Sequence, residues 1–434
     1  MAVHRKKHLN FNALRKSLSD CFSSIDDNRQ GTKVTYSLHD CMMSAFAMMY
    51  FQDPSLLSFQ NRLQDRIQSN NLSTIFNVQA IPQDTQIRDV LDRVPTDELA
   101  RIFTNFLQRL QRGKHLADYR VIDNKYVVSI DGSEYFSSSK IHCPACLQKS
   151  KKGSIRYHHQ IVQAVIVHPD KRQVIPLNPE AVTNRDGTKK QDCEINAAKR
   201  MLPNIRKAHP RLEIIVTADG LYSKQPFIDA LKNDRMSFIL VAKPTDHKVL
   251  FQWVEELTGL GGGDRLEVSE LRGGRHCYQW INQVPLNGTK DADQVNFFQY
   301  QLIREGKITY QNSWVTDIIV DQANVAQLVK AGRARWKIEN ETFNTLKNQG
   351  YHIEHNFGHG RQNLSMNFFT LNLLAFYVHQ ILELTDRQYQ LCRTKFGARK
   401  EFWNHLRYII RFMLFRGFDH LLQFVYRPPE IRAP

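Results

Sequence analysis

The chain has 434 residues, of which 42% are hydrophobic and 24% charged. Those proportions belong to a globular protein with a sizeable core and exclude a disordered or membrane-embedded chain. Lys and Arg outnumber Asp and Glu by 59 to 43, a net charge of +16; this excess points to a polyanion, nucleic acid before an anionic membrane surface, although a merely basic enzyme would show the same count.

The first residues, "MAVHRKKHLN", hold a basic cluster with no apolar core after it, so no signal peptide is expected. Residues 1 to about 115 read as helical: "HDCMMSAFAMMYF" is rich in Met and Ala, and "TDELARIFTNFLQRLQRG" has helical spacing and a Gly stop. From 125 to 245 strand-like runs appear at "YVVSIDG", "HQIVQAVIVHP", "QVIPL", "LEIIVTADG" and "MSFILVAKP", with helical runs at "DCEINAAKRMLPNIRKAH" and "SKQPFIDALKND". The order, three strands, helix, strand, helix, strand, predicts a mixed α/β sheet with helices packed on it. From 250 to 320 alternating segments with Gly turns predict an antiparallel β insertion. Helix returns at "NVAQLVKAGRARWKIENETFNTLK" and again from about 362 to the end. The most apolar stretch, "NFFTLNLLAFYVHQILEL", contains Asn372, His379 and Gln380 and reads as a buried helix, not a membrane span.

Two strands end in the same signature. "YVVSIDG" leads to Asp131 and "LEIIVTADG" to Asp219, each followed by Gly. Asp-Gly is a common turn dipeptide, so either aspartate alone is read as readily as a turn. In one sheet, however, the two would share an edge where ligands gather. A third acid is Glu339, in one helical stripe with Arg335, Phe343 and Lys347; an ordinary Arg–Glu surface pair has the same spacing, and Glu341 points elsewhere. Three converging carboxylates need a counter-charge, and hard oxygen ligands suit Mg²⁺ or Mn²⁺, whose chemistry fits phosphodiester transfer.

The ordered set resembles a ribonuclease H-like catalytic domain, and the β insertion before the late Glu resembles the bacterial insertion-sequence DDE transposases of the cut-and-paste group. That group carries Tyr-x2-Arg-x3-Glu-x6-Lys around its Glu. Here Arg335 and Glu339 match, Gly332 takes the Tyr position, and Leu346 takes the Lys position with Lys347 one step later. The resemblance spans residues 30 to 385 and includes "IPQDTQIRDVLDRV", "KQDCEINAAKR" and "GYHIEHNFGHG". It implies Asp131, Asp219 and Glu339 as catalytic Mg²⁺ ligands, with Arg335 and Lys347 on DNA. It also implies a homodimer on double-stranded DNA, cytoplasmic and nucleoid-associated in a prokaryote. The expected organisation is a helical DNA-binding region at 1–120, a catalytic domain at 121–249 and 321–360, the β insertion at 250–320, and a helical C-terminal region at 361–434. Two rival readings are a ribonuclease H-like nuclease or resolvase that does not join DNA, and an inactive DNA-binding descendant.

Seven cysteines at irregular spacing argue for a reducing cytosol. Cys143 and Cys146 form a C-x2-C pair, half of a structural zinc site, with His158 and His159 downstream; His158 and Cys193 are the further ligands expected, and reduced, partly buried thiols are the alternative. "YHIEHNFGHGR", with His352, Glu354, His355 and His359, lacks a helical metal-binding pattern and reads as phosphate contact or loop packing. The C-terminal "RTKFGARKEFWNHLRYIIRFMLFRGFDHLLQFVYR" interleaves Arg with aromatics. Most of those aromatics are expected in the core, with Arg and Lys facing DNA.

Overall fold

The computed structural model describes residues 8–29, 31, 34–63, 66–151, 153–184, 191–270 and 273–429; residues 4–7 of the N-terminal basic cluster lie outside them. The first part is helical, as predicted: α1 (Phe11–Ser23), α2 (Leu38–Tyr50), α3 (Leu56–Leu63), α4 (Arg66–Phe76), α5 (Asp84–Arg93) and α6 (Ala100–Arg112). In α6 the apolar residues Ile102, Phe103, Phe106, Leu107 and Leu110 recur at three- and four-residue intervals and are all buried. The Met- and Ala-rich α2 has no polar stripe, and every residue from Cys41 to Tyr50 is buried. Ser37 caps it by accepting the Asp40 amide at 3.0 Å, while the Asp40 carboxylate accepts the amides of Gln79 and Ala80 at 3.0 and 3.1 Å.

The sheet region follows: β1 (Tyr126–Ser138), β2 (Leu147–Lys151), β3 (Ser154–His168), β4 (Lys171–Pro176), β5 (Glu180–Val182), α7 (Glu194–Ala208), β6 (Ile214–Ala218), α8 (Gln225–Asn233) and β7 (Ser237–Val241). The predicted order is present, with β2 and β5 as short additions. β1 is antiparallel to β3 and parallel to β6, and β6 is parallel to β7. This is a ribonuclease H-like mixed sheet. Its central position explains why Val127, Val128, Ser129 and Ile130 are all buried: strands covered on both faces read as continuous rather than alternating apolar runs.

The segment predicted as purely β begins instead with a helix, α9 (Lys248–Gly259), before β8 (Asp264–Ser269), β9 (Gly274–Pro285), β10 (Gln294–Arg304) and β11 (Lys307–Thr316). Leu250 and Val254, four residues apart, are buried and set the helix's inner face. The strands do not form a separate sheet. β11 pairs antiparallel with β7, Trp314 opposite Val241 and Thr316 opposite Ile239, so one sheet runs from β2 to β8.

The chain then forms α10 (Val325–Arg333), a π-helical segment (Ile338–Phe343), α11 (Asn344–Asn348), α12 (Leu364–Thr385), α13 (Arg387–Thr394), α14 (Arg399–Phe412) and α15 (Phe418–Tyr426). α12 is the apolar stretch noted above, and it packs against α2, α5 and β4. Its polar residues find partners: Asn372 donates to the Tyr351 carbonyl at 2.7 Å, Nδ1 of His379 meets the Tyr351 hydroxyl at 2.6 Å, and Gln380 accepts the Val174 amide at 3.1 Å. Among the described residues no helix is long and apolar enough to cross a membrane. Of the C-terminal aromatics, Phe402, Trp403, Phe415 and Phe418 are core residues, while Tyr408 and Phe412 are exposed.

Candidate active site and a cysteine–histidine cluster

Parallel pairing of β1 with β6 places Ser129 opposite Thr217. Asp131 lies two residues beyond Ser129 and Asp219 two beyond Thr217, and the two carboxyls are near enough to interact electrostatically. The two aspartates are held differently. Asp131 does not end its strand: β1 continues to Ser138 because β3 pairs with it throughout, Asp131 facing Gln163. Asp219 follows β6 directly and opens a turn, its carboxylate accepting the Leu221 amide at 2.9 Å and its carbonyl the Tyr222 amide at 3.2 Å. One Asp-Gly is therefore strand and the other turn.

Glu339 reaches this edge through Arg335. The Arg335 guanidinium bonds the Glu339 carboxylate at 2.6 Å and approaches Asp131 at 3.8 Å. The backbone beneath is fixed by buried Ser129, whose hydroxyl donates to the Arg335 carbonyl at 3.2 Å. Glu341 turns the other way and pairs with Arg172 of β4 at 3.3 Å. Glu339 sits in the π-helical segment, where the Asn344 amide donates to the Glu339 carbonyl five residues back. In an unbroken α-helix the seventh residue after Glu339 would return to its face. The wider turn absorbs one more residue, so Leu346 is fully buried and Lys347 comes out, paired with Glu354 at 3.0 Å. Phe343 correspondingly packs inward instead of continuing an exposed stripe.

A fourth carboxylate, Glu194 in the first turn of α7, went unremarked in the sequence. Its oxygens accept the Tyr222 hydroxyl at 2.7 Å and the Gln160 amide at 2.8 Å. It lies so close to β1 that a Cβ on Gly132 would stand 2.2 Å from Glu194 Oε2. Only glycine permits that approach. Burial pushes the Asp131 carboxyl up to about 7; Arg335 opposes this, while Asp219 and Glu194 add to it. Burial also raises Glu194, with the Tyr222 hydroxyl pulling the other way and Asp219 adding to the rise. Asp131, interacting with Asp219 and Glu194, and Glu339, linked to it through Arg335, offer hard oxygen donors of the kind a divalent cation takes. Asp131, Asp219 and Glu339 are the residues that could hold one, with Glu194 alongside.

The second cluster joins Cys143 and Cys146 with His159 and His359, their ligand atoms all within 4.8 Å of one another. The structure does not bring His158 or Cys193 into it. His158 and His159 are neighbours on β3 and point to opposite faces; buried His158 lies 3.9 Å from Glu134. Cys193 is exposed at the start of α7. His359, read from the sequence as phosphate contact or loop packing, completes the group. The sulfur of Cys146 hydrogen-bonds that of Cys143, holding the Cys143 thiol low while Cys146 is pushed up.

The family model of the transposase DDE domain matches residues 142–377. The chain belongs to this family. The matched span of this transposase includes Glu194, Asp219, Glu339 and all four strands of the insertion, and it begins after Asp131. No curated protein matches the chain.

Proposed function

We propose that this DDE transposase cleaves DNA at the ends of its insertion sequence and joins the freed 3′ ends to target DNA, with Asp131, Asp219 and Glu339 as its catalytic residues. The reading is supported by the β1–β6 register, whose last pair, Ser129 and Thr217, precedes each aspartate by two residues, together with Arg335, which bonds Glu339 and approaches Asp131. Bound Mg²⁺ or Mn²⁺ would activate the attacking oxygen and stabilise the leaving oxygen of an in-line displacement. Asp131 orients its carboxylate from the central sheet and Asp219 from the turn that follows β6, and Asp131 gives up its proton to act as a ligand. Arg335 offsets the acids and offers its remaining N–H donors to a phosphate. Lys347 gives a second phosphate contact about three helical turns on. The +16 surface holds double-stranded DNA, and two protomers, one for each element end, form the working assembly.

The test supplies the full chain with a pre-nicked element end, Mg²⁺ and a target plasmid. Covalent end-to-target products are expected from the wild type. Glu339→Gln should lower joining at least ~10²-fold while end binding persists, and Glu341→Gln should leave joining within a few-fold. Cutting with no joining would establish the nuclease reading instead, and binding with neither reaction the inactive descendant.

A further inference from the structure

We propose that Cys143, Cys146, His159 and His359 bind one Zn²⁺ ion as a closed structural site, separate from the carboxylate centre. Five of the six distances between donor atoms are close to those of a coordination tetrahedron, and the sixth, between the Cys143 sulfur and the His359 ring, is within 4.8 Å. With Zn–S near ~2.3 Å and Zn–N near ~2.0–2.1 Å, a tetrahedron has edges of about 3.8 Å between two sulfurs, about 3.6 Å between sulfur and nitrogen, and about 3.3 Å between two nitrogens. The Cys143 and Cys146 sulfurs stand 3.7 Å apart. Each lies 3.4 Å from Nε2 of His159. Nδ1 of His359 is 3.8 Å from the Cys146 sulfur and 3.3 Å from Nε2 of His159. Packing of four unrelated side chains does not require five such edges to agree. Two thiolates and two imidazoles select Zn²⁺ over the hard cation suited to the carboxylates, and four protein ligands leave no position open for catalysis.

The ligands come from three places: the loop after β1, the strand β3, and the segment between α11 and α12. That last segment is shaped around His359. Gly358 and Gly360 flank it with φ of 141° and 63°, values that disfavour any side chain. The ring of His359 meets Phe136 of β1 edge-on at 4.1 Å. Just beyond, the Asp92 carboxylate of α5 accepts the amides of Arg361, Gln362, Asn363 and Leu364 at 2.8 to 3.0 Å. A zinc ion here would clamp the segment that follows the Glu339 helix onto β1, the strand of Asp131. The site rests on its own donor geometry and stands whatever reaction the carboxylates perform.

The experiment is metal analysis of the full chain purified from zinc-supplemented medium. One Zn²⁺ per chain is expected. Cys146→Ser and His359→Ala should each cut metal content at least ten-fold, while His158→Ala and Cys193→Ser keep it. Because a ligand variant can fail to fold, Co²⁺ exchange into the wild type gives an independent reading: intense tetrahedral ligand-field bands with thiolate charge transfer are expected. His359→Cys should retain metal and strengthen that charge transfer. A folded wild-type chain without stoichiometric zinc, octahedral Co²⁺ bands, or metal lost from His158→Ala but kept by His359→Ala would each overturn the assignment.

Discussion

Asp131 is the residue on which the candidate site depends most, and its environment gives a testable cost. Its folded carboxyl is pushed up to about 7 by burial, against an unfolded value of about 4. A raised carboxyl favours folding fully below the unfolded value, and that contribution is lost as pH rises through about 7. In Mg²⁺-free buffer at pH 8 the ionised, half-buried carboxylate is therefore a burden on stability. Asp131→Asn, which keeps the shape and removes the charge, should raise stability there by roughly 1–3 kcal/mol, discounted for partial solvent screening, with a smaller gain at pH 5. Added Mg²⁺ should stabilise the wild type more than the variant. Thermal melts at the two pH values check this. A variant no more stable than wild type at pH 8 would mean that Arg335 already neutralises the pocket.

At the scale of elements, the departures from the family motif have a packing explanation. The Tyr position is Gly332 in α10, where a Cβ would stand 2.7 Å from Nε1 of Trp314 and 3.0 Å from Ile239. Trp314 of β11 is fully buried and stacked on Phe298 at 5.2 Å, so it cannot swing aside. The docking of β11 on β7 thus fills the space that a tyrosine would need. Gly332→Ala should destabilise the chain by roughly 1–3 kcal/mol through overpacking, a larger effect than the ~1 kcal/mol that alanine gains over glycine in a helix. Combined with Trp314→Phe, the pair should be more stable than the two single losses added together. Urea unfolding measures both. A stabilising Gly332→Ala would show that the helix and β11 are not in rigid contact. The Lys position shifts for a different reason, since the π-helical segment adds one residue to the path from Glu339 and turns Lys347 outward in place of Leu346.

At the scale of the whole molecule, one apolar core runs from Leu9 to Val425, so the N- and C-terminal helices are built into the body that holds the sheet. Buried Arg399 of α14 pairs with Glu383 of α12 through two bonds of 3.0 and 2.9 Å, a geometry whose loss of one partner would leave a buried charge. Basic residues on this body are expected to hold DNA by displacing counterions. If six or more phosphates are neutralised, affinity for an element-end duplex should fall roughly 10³-fold or more between 50 and 200 mM salt. Fluorescence anisotropy over that range checks it. A nearly flat salt dependence would contradict a phosphate-dominated interface, and Lys347→Ala should reduce the slope by about one contact.

Short-range order was legible in the sequence because it depends on neighbours along the chain. The β-branched runs before Asp131 and Asp219 announce strands, the order of strands and helices announces the mixed sheet, and the four-residue step from Arg335 to Glu339 announces their pair. Whether a residue joins a cluster depends on register and on contacts across long separations, and these were not legible. His158 and His159 are equivalent in the sequence; only the pairing of β3 with β1 decides which ring faces the cysteines. His359 meets His159 at a separation of 200 positions, and Glu194 looks like any acid at a helix start until α7 packs against Gly132. α9 was hidden beside the Gly-rich turns that follow it, and the π-helical segment has no local signal in composition. The sequence by itself determined which groups were available and along which elements they lay. The tertiary structure alone decided which of them meet, because side-chain direction in a strand reverses at every residue and only the packed sheet selects the face.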